Sequence, residues 1–239
     1  MKRTRAPRPS SNGPPADPPA EAAECVGILI ADDHELLRRG LRAVLSERPD
    51  WRVLGEAANG REAVRLAASL KPAVVVLDVT MPELNGLEAT RQILAAAPET
   101  RVLILSVHES EQIVREVLEA GAQGYLLKSD AGRELAKAID ALLGNKPYFT
   151  STVARMVLEG FLGAPQAESA SEETGRLSPR EREIVQLLAE GRSNKEVAGV
   201  LGISVKTAET HRNNVMQKMG FHSITQLVRY AVRNKLIEP

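Results

Sequence analysis

Four short apolar runs in this chain each stop at a polar residue. Val26-Gly27-Ile28-Leu29-Ile30-Ala31 ends at Asp32 and Asp33, and Val74-Val75-Val76-Leu77 ends at Asp78. Val102-Leu103-Ile104-Leu105 ends at Ser106, and Gly124-Tyr125-Leu126-Leu127 at Lys128. Runs of this length and composition read as buried strands, and Trp51–Ala58 is a further one. Between them lie segments of helical period at Glu35–Glu47, Gly60–Ser69, Leu87–Ala97, Glu111–Ala120 and Arg133–Leu143. In the first of these, Leu36, Leu37, Leu41, Val44 and Leu45 form a core-facing stripe. Strands alternating with helices leave little choice of architecture: α/β, with a doubly wound five-stranded parallel sheet and right-handed crossovers. Functional groups of such sheets gather at the carboxyl ends of the strands. Asp32, Asp33, Asp78, Ser106 and Lys128 are therefore expected in one pocket.

Three crowded carboxylates are costly without a cation. A hard divalent ion resolves the cost, and Mg²⁺ suits an all-oxygen site that keeps waters for phosphate oxygens to replace. A carboxylate can then act as nucleophile toward phosphorus, and Asp78, at the end of the central strand, is the acceptor of choice. Lys128 supplies positive charge for phosphoryl oxygens and Ser106 a hydroxyl that can bond them. Singly these residues have plainer uses, Asp33 as a helix cap and Lys128 as a solvated charge. Their joint occurrence at strand ends carries the reading. His34 is read as a helix-start residue, and His108 has no strong claim to a role.

The chain of 239 residues has a formal net charge of zero, which conceals a division. Residues 25–175 carry 16 basic and 22 acidic side chains, whereas residues 176–239 carry 11 and 6. A basic carboxyl-terminal segment suggests a polyanion partner. No apolar stretch reaches the length of a membrane span, and residues 1–24 lack the apolar core of a signal peptide. That segment reads as a disordered extension or an over-long start. Cys25, the single cysteine, fits a reduced, cytoplasmic setting and is expected to pack beside the first strand. The expected domains are 25–146 and 176–239, joined by a linker over 147–175. Pro147 to Phe161 within it would add a short helix, and Gly163 to Gly175 has little to bury.

After the linker, start and stop signals are explicit. Ser178-Pro179-Arg180-Glu181 and Ser193-Asn194-Lys195-Glu196 are capping boxes, Gly191 and Gly202 are stops, and Ser204 is a further cap. A helix from Asn194 to Leu201, a turn at Gly202 and a longer helix from Val205 make a helix-turn-helix. With Ala208 at the centre of the buried face of that longer helix, Val215 and Met219 fall within about 20° of it. Lys206, Glu209, Thr210, Asn213 and Gln217 lie opposite, where they can reach base edges or phosphates, flanked by Thr207, Arg212 and Asn214.

Ile30-Ala31-Asp32-Asp33-His34, Leu77-Asp78-Val79-Thr80-Met81-Pro82-Glu83-Leu84-Asn85-Gly86 and Gly124-Tyr125-Leu126-Leu127-Lys128 together resemble the receiver domain of two-component response regulators, a flavodoxin-like fold. Leu177-Ser178-Pro179-Arg180-Glu181, Gly191-Arg192-Ser193-Asn194-Lys195-Glu196 and Ser204-Val205-Lys206-Thr207-Ala208-Glu209-Thr210-His211 resemble the LuxR-type helix-turn-helix domain. The pairing is that of NarL/FixJ-type regulators. The resemblance implies phosphoryl transfer from a sensor histidine kinase to Asp78. It also implies Mg²⁺ held by Asp33, Asp78 and the main-chain carbonyl of Thr80, with Asp32 acting through water. Ser106 and Tyr125 would rearrange together on phosphorylation. A four-helix output domain would follow, binding promoter half-sites in double-stranded DNA as a homodimer, with Val228 and Ala231 as candidate interface residues, for which burial inside the same domain is an equally good account. RNA polymerase is a further partner the resemblance leaves open. Ser129 departs from the proline common after the lysine, which bears only on local loop geometry.

Two rivals are distinguishable. A phosphatase with an aspartate nucleophile would carry Asp-x-Asp, and Thr80 stands where the second aspartate belongs. A phosphorylation-independent regulator, using its receiver only to dimerise, would show a degraded pocket, and this one is complete in sequence. The expectation is a DNA-binding transcriptional regulator and phosphoacceptor with at most self-dephosphorylation, not an enzyme acting on external substrates.

Overall fold

The computed structural model describes residues 25–107, 110–155 and 177–238. The amino-terminal extension, His108 and the Gly163–Gly175 segment lie outside them. Strands β1 (Val26–Ala31), β2 (Trp51–Ala57), β3 (Val74–Asp78), β4 (Arg101–Ser106), β5 (Gly124–Leu127) and β6 (Tyr148–Phe149) form one sheet in the order β2-β1-β3-β4-β5-β6. Every neighbouring pair is parallel. Helices α1 (Glu35–Ser46), α2 (Gly60–Leu70), α3 (Gly86–Ala96), α4 (Glu111–Glu119) and α5 (Ala131–Leu143) make the crossovers.

The central strands are apolar at consecutive positions because both faces of the sheet are covered. Leu29, Val75, Leu77 and Ile104 pack on Ala63, Ala67, Ile93 and Val117 on one face. Ile28, Ile30, Val76 and Leu103 pack on Leu41, Leu45, Leu135 and Ile139 on the other. The chain runs outward from β1 to β2, then returns to β3 on the opposite side of β1. That reversal opens a crevice at the carboxyl ends of β1 and β3.

The sheet has six strands where the sequence suggests five. Tyr148 and Phe149 pair with Gly124 and Tyr125 at the β5 edge, so the sheet extends past residue 146. The helix expected from Pro147 begins only at residue 151 in the described segment. Cys25 is exposed and does not pack.

Helices α6 (Pro179–Ala189), α7 (Asn194–Leu201), α8 (Val205–Lys218) and α9 (Ile224–Arg233) enclose a separate core of Ile184, Leu187, Val197, Ala208, Val215, Leu227 and Ala231. Both capping boxes form, at Ser178 with Glu181 and at Ser193 with Glu196. Gly202 takes the left-handed conformation, φ 64°, that ends α7 and starts the turn. The Ser204 hydroxyl accepts the Thr207 N–H to open α8.

Candidate functional site

Asp32 and Asp33 follow β1, Asp78 ends β3, Ser106 ends β4, and Lys128 follows β5. The fold brings the charged residues together. The Lys128 Nζ lies 2.8 Å from Asp32 Oδ2 and 2.8 Å from Asp78 Oδ2. Asp32 is fully buried, Asp78 nearly so, and Asp33 is exposed at the rim. Burial, then the neighbouring Asp32 charge, pushes the Asp78 carboxyl up to about 7. Burial pulls Lys128 down, but the facing Asp78 and Asp32 charges outweigh it and hold the ammonium above its ordinary value.

His34 sits at the amino-terminal cap of α1 but makes no side-chain capping bond. Its Nδ1 lies 2.8 Å from Asp33 Oδ1 and 3.2 Å from Asp32 Oδ1. The Asp33 charge holds the imidazole above its ordinary value. The His34 N–H donates to Asp32 Oδ1 at 2.8 Å, and the Arg38 guanidinium donates to the Asp32 carbonyl at 2.7 Å. Both fix the loop after β1. Ligand atoms of Asp32, Asp33, His34 and Asp78 all lie within 4.8 Å of one another. Apart from the Lys128 ammonium, the buried Oδ2 atoms of Asp32 and Asp78 have no hydrogen-bond partner among the described residues. This oxygen-rich donor set, carrying more negative charge than Lys128 neutralises, fits a hard divalent cation.

Thr80 and Ser106 are buried and Tyr125 is wholly enclosed. The β3–α3 loop turns back on the acceptor strand: the Gly86 N–H donates to the Val79 carbonyl at 2.7 Å. A Cβ at Gly86 would stand 2.0 Å from the Asp78 carbonyl oxygen. Gly86→Ala is therefore expected to cost about 2–3 kcal/mol by forcing backbone apart beside the acceptor. Gly199→Ala, with nothing within 4 Å of the added carbon, should gain about 0.5–1 kcal/mol as a helix substitution. Urea unfolding of the two variants measures both.

On α8, Ala208 and Val215 are buried, while Lys206, Thr207, Glu209, Thr210, Asn213, Asn214 and Gln217 are exposed. Arg212 is half-buried and its guanidinium reaches the Asn194 side-chain oxygen at 3.5 Å. Val228 is half-buried, as is Val232 one turn on. Ala231 is fully buried within its own four-helix core. It presents no surface to a second copy, so of the two accounts open for it burial in its own domain holds and the place at an interface is corrected.

Sequence reasoning missed the seam between the two domains. Glu183 and Gln186 of α6 are buried, although both are polar. Glu183 receives Arg61 of α2 at 2.9 Å and Gln92 of α3 at 2.8 Å. Gln186 Oε1 accepts the Asn85 N–H at 2.8 Å, and its Nε2 donates to the Met81 carbonyl at 2.8 Å. Glu190 Oε1 accepts the Glu83 N–H at 3.0 Å. The only sequence signal is that Glu183, Gln186 and Glu190 share one helix face, a spacing that solvated faces also show.

Comparison with known proteins places these two halves. Residues 28–140 match the family described as response regulator receiver domain, and residues 175–231 match that described as bacterial regulatory proteins, luxR family. The transcriptional regulatory protein LiaR of Bacillus subtilis is 39% identical over 212 residues, spanning 89% of this chain and 99% of LiaR. A LuxR-family two-component response regulator from an Aurantimonas species superposes with a TM-score of 0.55 at 36% identity, over 58% of this chain and 99% of that one. RcsB from Salmonella enterica serovar Typhimurium, solved bound to the rprA promoter with phosphomimetic BeF3-, gives a TM-score of 0.55 at 25% identity, over 86% and 98%.

Proposed function

The chain belongs to the bacterial transcriptional response regulators that join a receiver domain to a LuxR-family domain, and from that premise we propose that Asp78 is the phosphoacceptor and α8 the DNA-reading helix. One observation carries the proposal. Asp32, Asp33, Asp78 and Lys128 converge at the carboxyl ends of β1, β3 and β5, in a chain whose α8 face is open to solvent.

In the proposed reaction a carboxylate oxygen of Asp78 attacks the phosphorus of a phosphohistidine on a sensor kinase. The P–N bond breaks and its electron pair returns to the imidazole. Asp78 attacks as the carboxylate, the form present as pH passes about 7. Lys128 exchanges its contact with Asp78 for one with a phosphoryl oxygen, and the Ser106 hydroxyl donates to another. Asp33, Asp78 and the Thr80 carbonyl would hold Mg²⁺, with Asp32 acting through water, and the ion would offset the negative charge gathered there. Loss of the phosphoryl group to water in the same pocket resets the protein. The action is in the cytoplasm. No helix among the described residues is long and apolar enough to cross a membrane.

Lys206, Thr207, Glu209, Thr210, Arg212, Asn213 and Asn214 would contact one half-site. The docked output domain leaves most of that face exposed, so docking withholds something other than the face itself. Paired half-sites need two reading helices about one turn of DNA apart, a spacing that a domain fixed to its own receiver cannot freely adopt. Val228, with Val232 beside it, is the surface we assign to pairing on α9. Footprinting with a small phosphodonor and Mg²⁺ tests the whole proposal. Wild type should protect paired half-sites only with the donor, and Asp78→Asn should not respond. An Asp78→Asn protein that protects DNA as strongly as phosphorylated wild type would refute it.

A further inference from the structure

The loop that follows the acceptor is held from outside its own domain. Between Asp78 and α3 run Val79 to Asn85, and three backbone groups of this stretch bond side chains of α6 and of Glu190, which caps its carboxyl end. The Met81 carbonyl accepts from Gln186 Nε2, the Asn85 N–H donates to Gln186 Oε1, and the Glu83 N–H donates to Glu190 Oε1. Gln186 Nε2 also donates to Glu190 Oε1 at 2.9 Å, which joins the two side chains into one hook. Gln186 is fully buried, and the Asn85 side-chain amide also donates to its Oε1 at 3.3 Å, so both ends of the amide are held out of water by the loop and by Glu190. Glu83 has φ 66°, a left-handed conformation that a residue with a Cβ holds only under constraint. Its N–H is the group Glu190 bonds.

Resting on the assignment of Asp78 as acceptor, we infer that Gln186 and Glu190 of the output domain are positioning residues for the phosphoacceptor site, holding the β3–α3 loop in its resting arrangement. Thr80, the proposed main-chain metal ligand, lies in the same loop, one residue before Met81. A loop tied at Met81, Glu83 and Asn85 cannot shift around a bound phosphoryl group without straining or breaking the tie. By reciprocity, whatever phosphoryl binding does to loosen the hook, cutting the hook does to favour phosphoryl binding. Output-domain docking and occupancy of the acceptor pocket are then one equilibrium, with Gln186 as the hinge between them.

The test uses the full chain with Mg²⁺ and beryllofluoride as the phosphoryl mimic. Gln186→Leu keeps the helix and removes the amide's bonds to Met81, Asn85 and Glu190. It should bind beryllofluoride about 5- to 30-fold more tightly than wild type. In the metal-free protein, amide exchange at Asn85 should quicken about tenfold or more, while amides of β3 and β4 keep their wild-type rates. A merely structural role would accelerate exchange throughout and leave the affinity unmoved. Glu190→Ala, which frees the Glu83 N–H and leaves the Gln186 amide its bonds to Met81 and Asn85, should shift affinity the same way by less, and it stands as the test if Gln186→Leu does not fold. Equal beryllofluoride affinity in wild type and both variants overturns the inference alone. Failure of wild type itself to bind beryllofluoride overturns the acceptor assignment and the inference with it.

Discussion

Lys128→Met is expected to be less stable than wild type by about 2–4 kcal/mol at pH 8 without divalent cations, and to recover much of that loss when Mg²⁺ is added. Lys128 meets both Asp32 and Asp78 at 2.8 Å, and both carboxylates are buried. Removing the ammonium leaves two like charges in a dry crevice, a change that costs far more than an intact surface ion pair contributes. Protonation limits the loss. Asp78 already sits near 7 with the lysine present, and without it the carboxyl must move higher. Near pH 5 the variant keeps a proton on Asp78 and the gap to wild type narrows; above pH 7 it widens. Thermal melts from pH 5 to 8, with a chelator and with Mg²⁺, read all three effects. A variant that melts with wild type at pH 8 in chelator would show that Lys128 does not hold the pocket together.

The parts of this pocket were legible because a parallel sheet converts sequence position into place. An apolar run fixes a strand, and the residue that stops it lies at one edge of the sheet. Asp32, Asp78, Ser106 and Lys128 needed no more than that. Strand β6 lacks any such signal. Tyr148 and Phe149 are two residues after Pro147, too few to show a period, and they form a strand only because the β5 edge lies open beside them. Ala231 was open in the sequence for a different reason. On α9 it lies about 40° from Leu227, and helical periodicity does not say whether an apolar residue faces its own core or a second copy. Gln186 was invisible because its burial comes from the partner domain, and a polar side chain gives no sign of a surface that its own helix does not carry.

Asp78→Asn should stabilise the metal-free protein at pH 7 by about 3 kcal/mol, and the gain should vanish near pH 4. The sign follows from the direction in which Asp78 is displaced. Its carboxyl rises from an ordinary 3.8 to about 7 in the folded chain. Between those values the folded state binds more protons than the unfolded one, so wild-type stability falls as pH rises through that window and levels above it. Asparagine has nothing to titrate, and this part of the slope is lost. At pH 4 the wild-type group is neutral in the folded state, and the two proteins should melt together apart from local packing. Mg²⁺ should raise wild type more than the variant, because the ion binds the carboxylate that burial disfavours. Denaturant melts at pH 4, 5.5 and 7 in chelator, repeated with Mg²⁺, give the comparison. A gain that does not change with pH would mean that Asp78 is better solvated than its surroundings suggest. The expected result has a functional sense: the stability lost by burying this charge is what makes the carboxylate avid for a cation and a phosphoryl group. A more stable Asp78→Asn protein that no longer answers a phosphodonor would be the mark of a pocket kept under electrostatic strain for the sake of its switch.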